Sequence, residues 1–372
     1  MKKNIKQYLS IYQQTKQFKS KEISDSIKNM NLLIFNMEMN EKSKVLSHCI
    51  DWVNNISIYF DKVFVITVKS SNFKVNENVK VFSIKRDKFN RLSSIILLYK
   101  ILFKIHKNYK INGYFVHMAA YFVPFIFLFK LYYKIPILFW YAHSSVTKAL
   151  KIATLLSDKI FSPSKESFKY KTSKIEFTGH GINTDFFKFI KNKKCNYSKF
   201  AVFGRISETK NIHKMIEVFN KIENKNINLT IIGEPLIEID KKYFDKIFNF
   251  NYKNIFYSKN IPKKYIFETY KKFDVIINLS DTGSLDKVII EPMAMGIPVI
   301  TSNKSAIELF SHLDGKGVFL TTKQDFENDI KNLILTKPFI NRNLLRKEIE
   351  ENHSIKKLAK KISDYFIIEP SD

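Results

Sequence analysis

Twice along its length this sequence alternates short runs rich in Val, Ile and Phe with longer segments whose apolar residues recur at helical spacing. That alternation constrains the fold more than any other feature of the chain. Strands joined by helical crossovers lie parallel, and a parallel sheet is stable only when helices cover both of its faces. In the first series, residues 31–39 (NLLIFNMEM), 62–69, 80–86 and 114–118 read as strands. Val45, Leu46, Cys49, Ile50, Val53 and Ile56 mark one amphipathic helix, and residues 92–105 mark another. A helix over 146–156, a strand at 159–162 and a short helix over 164–171 follow, then a strand from 174 that runs into a glycine-flanked turn. Residues before about 30 are polar and basic, and read as a helical lead-in or a loose arm.

Residues 188–198 are polar, basic and without periodicity, which makes them the linker. The pattern then restarts with a strand in FAVFGRI, a helix over 213–222, a strand at 228–233 and a helix near 241–250. A strand at 254–257, a helix over 263–272 and the segment 274–302 come next, and helices near 325–335 and 355–366 finish the chain. The expectation is an α/β protein of two doubly wound, Rossmann-like domains facing across a cleft. They span residues 1–187 and 199–350, with 351–372 packing back towards the first. The 372 residues suffice for about two domains at the usual size of roughly 150 residues each. Ligands of such sheets bind beyond the carboxyl ends of the strands.

Residues 119–141 form the most apolar stretch, and they require a separate decision. A membrane-spanning helix needs about 20 predominantly apolar residues in one run. Lys130 and Lys134 interrupt this one and Pro136 begins a strand-like run, so a buried helix over 120–133 and a strand over 135–141 are expected. The aromatic and basic mixture also suits a face lying against a membrane interface. The formal charge of +27, from 62 Lys and Arg against 35 Asp and Glu, points to a polyanionic partner such as a phosphorylated substrate or an anionic membrane. Part of that excess has a plainer source in a composition rich in Lys, Asn, Ile and Phe. Two cysteines far apart, Cys49 and Cys195, exclude a disulfide framework and fit a cytoplasmic setting. The basic N-terminus lacks the apolar core of a signal peptide.

The segment 274–302 carries the chemistry. It reads as a strand, a loop with Gly283, Ser284 and Leu285, a helix holding Lys287 and Glu291, and a turn at Gly296. Unpaired N–H groups and the helix dipole make such a loop an anion site, and Glu291 is placed to accept bonds from vicinal hydroxyls. Upstream, Gly204 and Arg205 end a strand and Lys210 precedes a helix, a cation pair suited to a diphosphate. Recognition of a nucleotide base is expected from residues 233–235, Glu234 among them, and from the segment near 258–261. His180 lies between Gly179 and Gly181 after a strand, and His117 and His143 end two strands of the first series, each able to bond a sugar or phosphate. As surface cations, a helix-surface carboxylate and structural histidines, these residues would be ordinary one at a time. No P-loop, Gly-x-Gly-x-x-Gly, HExxH, Gly-x-Ser-x-Gly or DxD metal motif is present.

Taken together, residues 179–185, Gly204-Arg205 with Glu208 and Lys210, residues 231–234 and residues 291–300 resemble the retaining glycosyltransferases of family 4, the glycosyl transferases group 1, which have the GT-B fold. The resemblance implies that Arg205 and Lys210 hold the donor diphosphate and stabilise its departure. It implies that Glu291 binds the ribose hydroxyls, that residues 283–285 meet the phosphate and sugar, and that His143 lies near the transferred sugar. No bound metal, cofactor or dedicated protein base is implied. One departure stands out. The family pairs two glutamates eight positions apart, and Gly283 stands where the first would fall. That residue usually helps orient the donor sugar, and Asp281 and Asp286 are the nearby acidic groups.

The expected activity is transfer of a hexose-type sugar from a nucleotide-diphosphate sugar to a glycan or lipid-linked glycan of the cell surface, with the protein peripheral on the inner face of the plasma membrane and no nucleic acid partner. Two other readings share these residues. One is a nucleotide-sugar epimerase of the same fold, and the other is a polyanion- or membrane-binding protein with a degenerate site.

Overall fold

The computed structural model describes residues 30–43, 46–248 and 252–368. The lead-in before residue 30, Val45 and the end of the helix expected near 241–250 lie outside the described residues. The chain forms two compact units. The first comprises the described residues up to Trp140 with Ile152–Lys159 and those from Ala359 on; the second comprises Tyr141–Lys151 and Ile160–Leu358.

In the first unit β1 (Asn31–Met39), α1 (His48–Ser57), β2 (Lys62–Ser70), β3 (Val79–Ser83), α2 (Arg91–Asn108), β4 (Gly113–His117), α3 (Phe122–Tyr133) and β5 (Ile137–Trp140) follow one another. The strands pair in parallel in the order β3-β2-β1-β4-β5, with Leu33 opposite Phe64 on one side and Tyr114 on the other. The unbroken run Leu32 to Phe35 is at most 1% exposed, as expected of a central strand buried on both faces. Asn90 caps α2 by accepting from the Ser93 N–H at 2.8 Å. Lys134 ends α3 in the left-handed region, two residues before Pro136. With 12 residues α3 is about 18 Å long, well short of the ~30 Å hydrocarbon core. No helix among the described residues is long and apolar enough to cross a membrane.

The second unit takes in β6 (Lys159–Ser162), which follows α4 (Lys148–Leu156) and pairs in parallel with β7 (Ile175–Phe177). Between them the helix expected over 164–171 is a single 3₁₀ turn, Lys165–Ser167, capped by Ser164. Ser, Lys and Tyr crowd that segment, and one turn buries too little apolar surface to extend further. Its main sheet contains β8 (Lys199–Phe203), β9 (Asn228–Ile232), β10 (Ile255–Ser258), β11 (Val275–Asn278), β12 (Val299–Thr301) and β13 (Val318–Leu320), in the order β10-β9-β8-β11-β12-β13. Counted from β8 this is 3-2-1-4-5-6, the dinucleotide-fold order, and it reverses between β8 and β11. The crossover helices are α5 (Ile212–Asn220), α6 (Glu238–Ile247), α7 (Lys263–Tyr270), α8 (Lys287–Ala294) and α9 (Lys304–Phe310). They are followed by α10 (Phe326–Thr336), α11 (Arg342–Asn352) and α12 (Ile355–Ile368).

Periodicity missed α9, β13 and α11. The first two are only seven and three residues long, and α11 is mostly polar. Its two arginines are structural. Arg342 donates to the carbonyls of Gly296 at 2.7 Å and Lys193 at 2.8 Å, and Arg346 to those of Phe187 at 2.6 Å and Ala294 at 2.8 Å. Both therefore satisfy backbone acceptors left over at the C-terminus of α8.

Candidate functional site

Most residues expected to touch a ligand in the second unit follow the carboxyl ends of β8, β9 and β11, and the strand order reverses between β8 and β11. Gly204 leaves β8 at φ +121°, and a Cβ there would meet nothing within 4 Å. Its carbonyl is backed by Gly233, where a Cβ would fall 1.8 Å from it, so the ends of β8 and β9 need glycine for close approach. The Ile206 N–H donates to the Glu234 carbonyl at 3.1 Å, tying the half-buried Glu234 beside this turn.

The two expected cations already have acidic partners. Arg205 is exposed, and its Nε lies 3.4 Å from Oδ2 of Asp240, a carboxylate 4% exposed at the start of α6. Lys210 Nζ donates to Ser280 Oγ at 3.1 Å and to Asp286 Oδ2 at 2.6 Å. Asn211 donates to the carbonyl of Leu279 at 2.7 Å and to Asp281 at 2.9 Å, which stitches the β8–α5 connection to the loop after β11. Asp286 caps no N–H of α8 with its side chain; it receives Asn278 Nδ2 at 2.9 Å as well as Lys210. Asp281 is ion-paired with Lys323. Burial would raise its carboxyl, but the hydrogen bonds from Lys323 and Asn211 outweigh that and hold it below the usual range. Both acidic residues near Gly283 are thus committed to cations.

Serines of neighbouring segments hold the Gly283 loop. Ser144 Oγ donates to the Thr282 carbonyl at 3.0 Å, Ser305 Oγ to the Gly283 carbonyl at 2.7 Å and Asn303 Nδ2 to the Ser284 carbonyl at 2.9 Å. Gly283 itself sits at φ +75°, a conformation that favours glycine, and a Cβ on it would lie 3.6 Å from Ser144 Cβ and 3.8 Å from Glu166 Oε2. Ser284 is half-buried, Leu285 is buried, and Lys287 opens α8. His143 is exposed beside this loop, its N–H donating to the Ser167 carbonyl at 2.9 Å. Its Nδ1 accepts from the Ser145 N–H at 3.0 Å, so the neutral ring carries its proton on Nε2. Glu291, on the next turn of α8, accepts from Tyr270 Oη at 3.0 Å. Tyr270 is 1% exposed, and burial together with the Glu291 charge raises its phenol well above the ordinary range.

Three of the expected residues, His117, His180 and Gly181, lie apart from this cluster. His117, in the first unit, is 3% exposed and packed among aromatic rings, 4.5 Å from Trp52 and 5.1 Å from Trp140 between centroids. His180 is buried, and the glycines around it serve a backbone crossing. A Cβ on Gly179 would fall 1.7 Å from the Asn352 carbonyl, Gly181 also has positive φ, and the Ile182 N–H donates to the His353 carbonyl at 2.6 Å. Sequence reasoning missed Ser144, Glu166, Asp240, Tyr270 and Ser305. Only folding brings Ser144, Glu166 and Ser305 to the loop, Asp240 to Arg205 and Tyr270 to Glu291, and none sits in a spacing that marks it.

The fold has recognisable counterparts. With sucrose-phosphate synthase from Thermosynechococcus elongatus the chain superposes at a TM-score of 0.71, at 12% identity over 91% of this chain and 98% of that one. HepE from Anabaena, solved in complex with UDP and glucose, gives a TM-score of 0.69 at 15% identity, over 90% and 98% of the two chains. The fold is GT-B. Residues 183–363 match the model of the family described as Glycosyl transferases group 1. The capsular polysaccharide biosynthesis glycosyltransferase CapM of Staphylococcus aureus is 26% identical over 206 residues, 55% of this chain and 50% of CapM, so the match spans about half the length of that relative.

Proposed function

We propose that this chain is a group 1 glycosyltransferase of the retaining family 4 type that moves a hexose-type sugar from a nucleotide-diphosphate sugar to a glycan or lipid-linked glycan. One observation carries the reading. Arg205, Lys210, the Gly283 loop and Glu291 converge at the reversal point of a 3-2-1-4-5-6 sheet, where this architecture binds nucleotides. In this reading Lys210 and Arg205 receive the diphosphate, and Glu291, oriented by Tyr270, accepts the ribose hydroxyls. The base lies against Gly204 and Glu234, and Ser284, Leu285 and Lys287 line the phosphate path. His143 faces the transferred sugar with its Nε2 proton, Gly181 is assigned to the donor, and His180 and His117 are assigned to the sugar or acceptor. Cation and helix-dipole stabilisation of the departing diphosphate supplies the catalysis without a bound metal. HepE's complex with UDP and glucose supports a UDP-sugar as donor, and the match to CapM supports a role in cell-surface polysaccharide synthesis.

The domain division in this reading places acceptor binding in residues 1–187 and donor binding in 199–350, joined through 188–198. A peripheral position on an anionic membrane is supported by α3, which exposes Leu128, Leu131 and Tyr132 in a protein of net charge +27.

Thermal-shift titration with UDP, GDP and ADP and their sugars tests the donor site. A nucleotide at 100 times its dissociation constant adds about 2.7 kcal/mol. UDP and a UDP-sugar are expected to stabilise the wild-type chain, and Glu291→Ala to lose most of that effect together with transfer to a glycan acceptor. Absence of stabilisation by every nucleotide would overturn the reading. Release of an isomerised nucleotide sugar without acceptor would replace transfer by epimerisation.

A further inference from the structure

Glu166 reaches the Gly283 loop from a distant part of the chain. It sits in the 3₁₀ turn Lys165–Ser167, and the residues around it fix that turn to the loop. Ser164 Oγ lies 2.8 Å from Ser305 Oγ, which itself donates to the Gly283 carbonyl at 2.7 Å. On its other side the Ser167 carbonyl receives the His143 N–H at 2.9 Å. These two ties fix the turn that carries Glu166, whose side chain is 31% exposed. Its Oε2 ends 3.8 Å from the point where a side chain would leave Gly283. That oxygen is buried and accepts no hydrogen bond among the described residues; Lys169 Nζ stands 3.1 Å away as its ion-pair partner.

The loop therefore has two chemically different ends. At Ser280 it meets the ammonium of Lys210, which suits phosphate. Three residues on, at Gly283, it meets a carboxylate, which repels phosphate and accepts hydrogen bonds from hydroxyls. Three residues extend at most about 10 Å, a distance that one hexosyl phosphate bridges. Asp281 and Asp286, the acidic residues nearer in sequence, accept hydrogen bonds from Lys323 and Lys210, whereas the Glu166 Oε2–Lys169 ion pair is not a hydrogen bond. We propose that Glu166 is the sugar-binding carboxylate of this site: its Oε2 stands beside Gly283, in van der Waals reach of where a side chain at 283 would begin, and accepts hydrogen bonds from hydroxyls of the transferred sugar. This assignment rests on the nucleotide-sugar reading and names the group that reads the sugar half of the donor.

The test separates the two halves of the ligand. Affinities of the full chain for UDP and for the UDP-sugar that stabilises it most are measured in wild type and in Glu166→Gln, which keeps the size and removes the charge. Wild type is expected to bind the UDP-sugar more tightly than UDP. Glu166→Gln should leave UDP within twofold and weaken the UDP-sugar about tenfold, the worth of a hydrogen bond to a charged group. Adding Gly283→Glu to Glu166→Gln returns a carboxylate from the loop side and should recover part of the sugar preference. Unchanged UDP-sugar affinity, an equal loss for UDP and UDP-sugar, or no recovery in the double variant with UDP binding intact would overturn the role of Glu166. If wild type bound no nucleoside diphosphate at all, the donor-site reading would fall first, and this assignment with it.

Discussion

Lys210 Nζ lies 2.6 Å from Asp286 Oδ2, and both side chains are 18% exposed. The pair fixes the lysine against the loop that precedes α8, with Asn278 holding the carboxylate from the other side at 2.9 Å. It also offsets the charge that a diphosphate would use. In the proposed donor site a bound diphosphate and Asp286 would share one ammonium, so the carboxylate is expected to weaken nucleotide binding while it stabilises the ligand-free protein.

Asp286→Asn is therefore expected to act in opposite directions on stability and affinity. The ligand-free melting temperature should fall, because a partly buried Lys210 loses its counter-charge. Affinity for UDP should rise about fivefold, equivalent to about 1 kcal/mol for a partly screened ion pair. Calorimetric titration beside a thermal melt checks both. Weaker UDP binding in Asp286→Asn would mean that the carboxylate positions Lys210 more than it competes for it.

Tyr270→Phe addresses the other end of the nucleotide. The phenol is buried, and its hydroxyl donates to Glu291 Oε2 at 3.0 Å, so its loss leaves the carboxylate free to turn. UDP and UDP-sugar should weaken together by about fivefold, the worth of one hydrogen bond of about 1 kcal/mol. That pattern differs from the one expected of Glu166→Gln, in which only the sugar-bearing ligand suffers. A loss confined to the UDP-sugar would show that Glu291 does not serve the ribose.

How much of this was legible beforehand depended on whether a feature was local. The run NLLIFNMEM became β1 without a residue's difference, because a strand buried on both faces is almost wholly apolar. Lys287 to Ala294 formed the expected helix and Gly296 took its left-handed turn, both being properties of the neighbouring sequence. The segment 164–171 gave one 3₁₀ turn capped by Ser164, whose hydroxyl also reaches Ser305, because a segment this polar has too little apolar surface to extend a helix. Glu166 and Ser144 were invisible for a different reason. Nothing near them in sequence says which loop they will face. The glycines around His180 misled in another way, since close approach was read correctly but its object was the Asn352 carbonyl, a backbone group.

That crossing carries the remaining prediction. His353 is 2% exposed, contacts the Phe310 ring at 5.4 Å between centroids, and has Nδ1 beside Gly179. Burial pulls its imidazole down from 6.5 to about 4, against a smaller opposing pull from Glu348. The folded protein therefore keeps His353 neutral where the unfolded chain protonates it. Above about pH 6.5 both states are neutral and the residue adds no pH dependence. As pH falls from 6.5 to 4 the unfolded state alone gains the proton, so stability declines, by about 3 kcal/mol in all. Below 4 both states are charged and the decline stops. His106, likewise lowered to about 4 by burial, is common to wild type and variant and cancels in their difference. Denaturant unfolding of wild type and His353→Gln at pH 7 and pH 4.5 checks the argument. The variant keeps the backbone bonds to Ile349 and Ile182, should be less stable than wild type at pH 7, and should lose less stability on acidification. Parallel losses in the two proteins would show that His353 is not protonated differentially on unfolding.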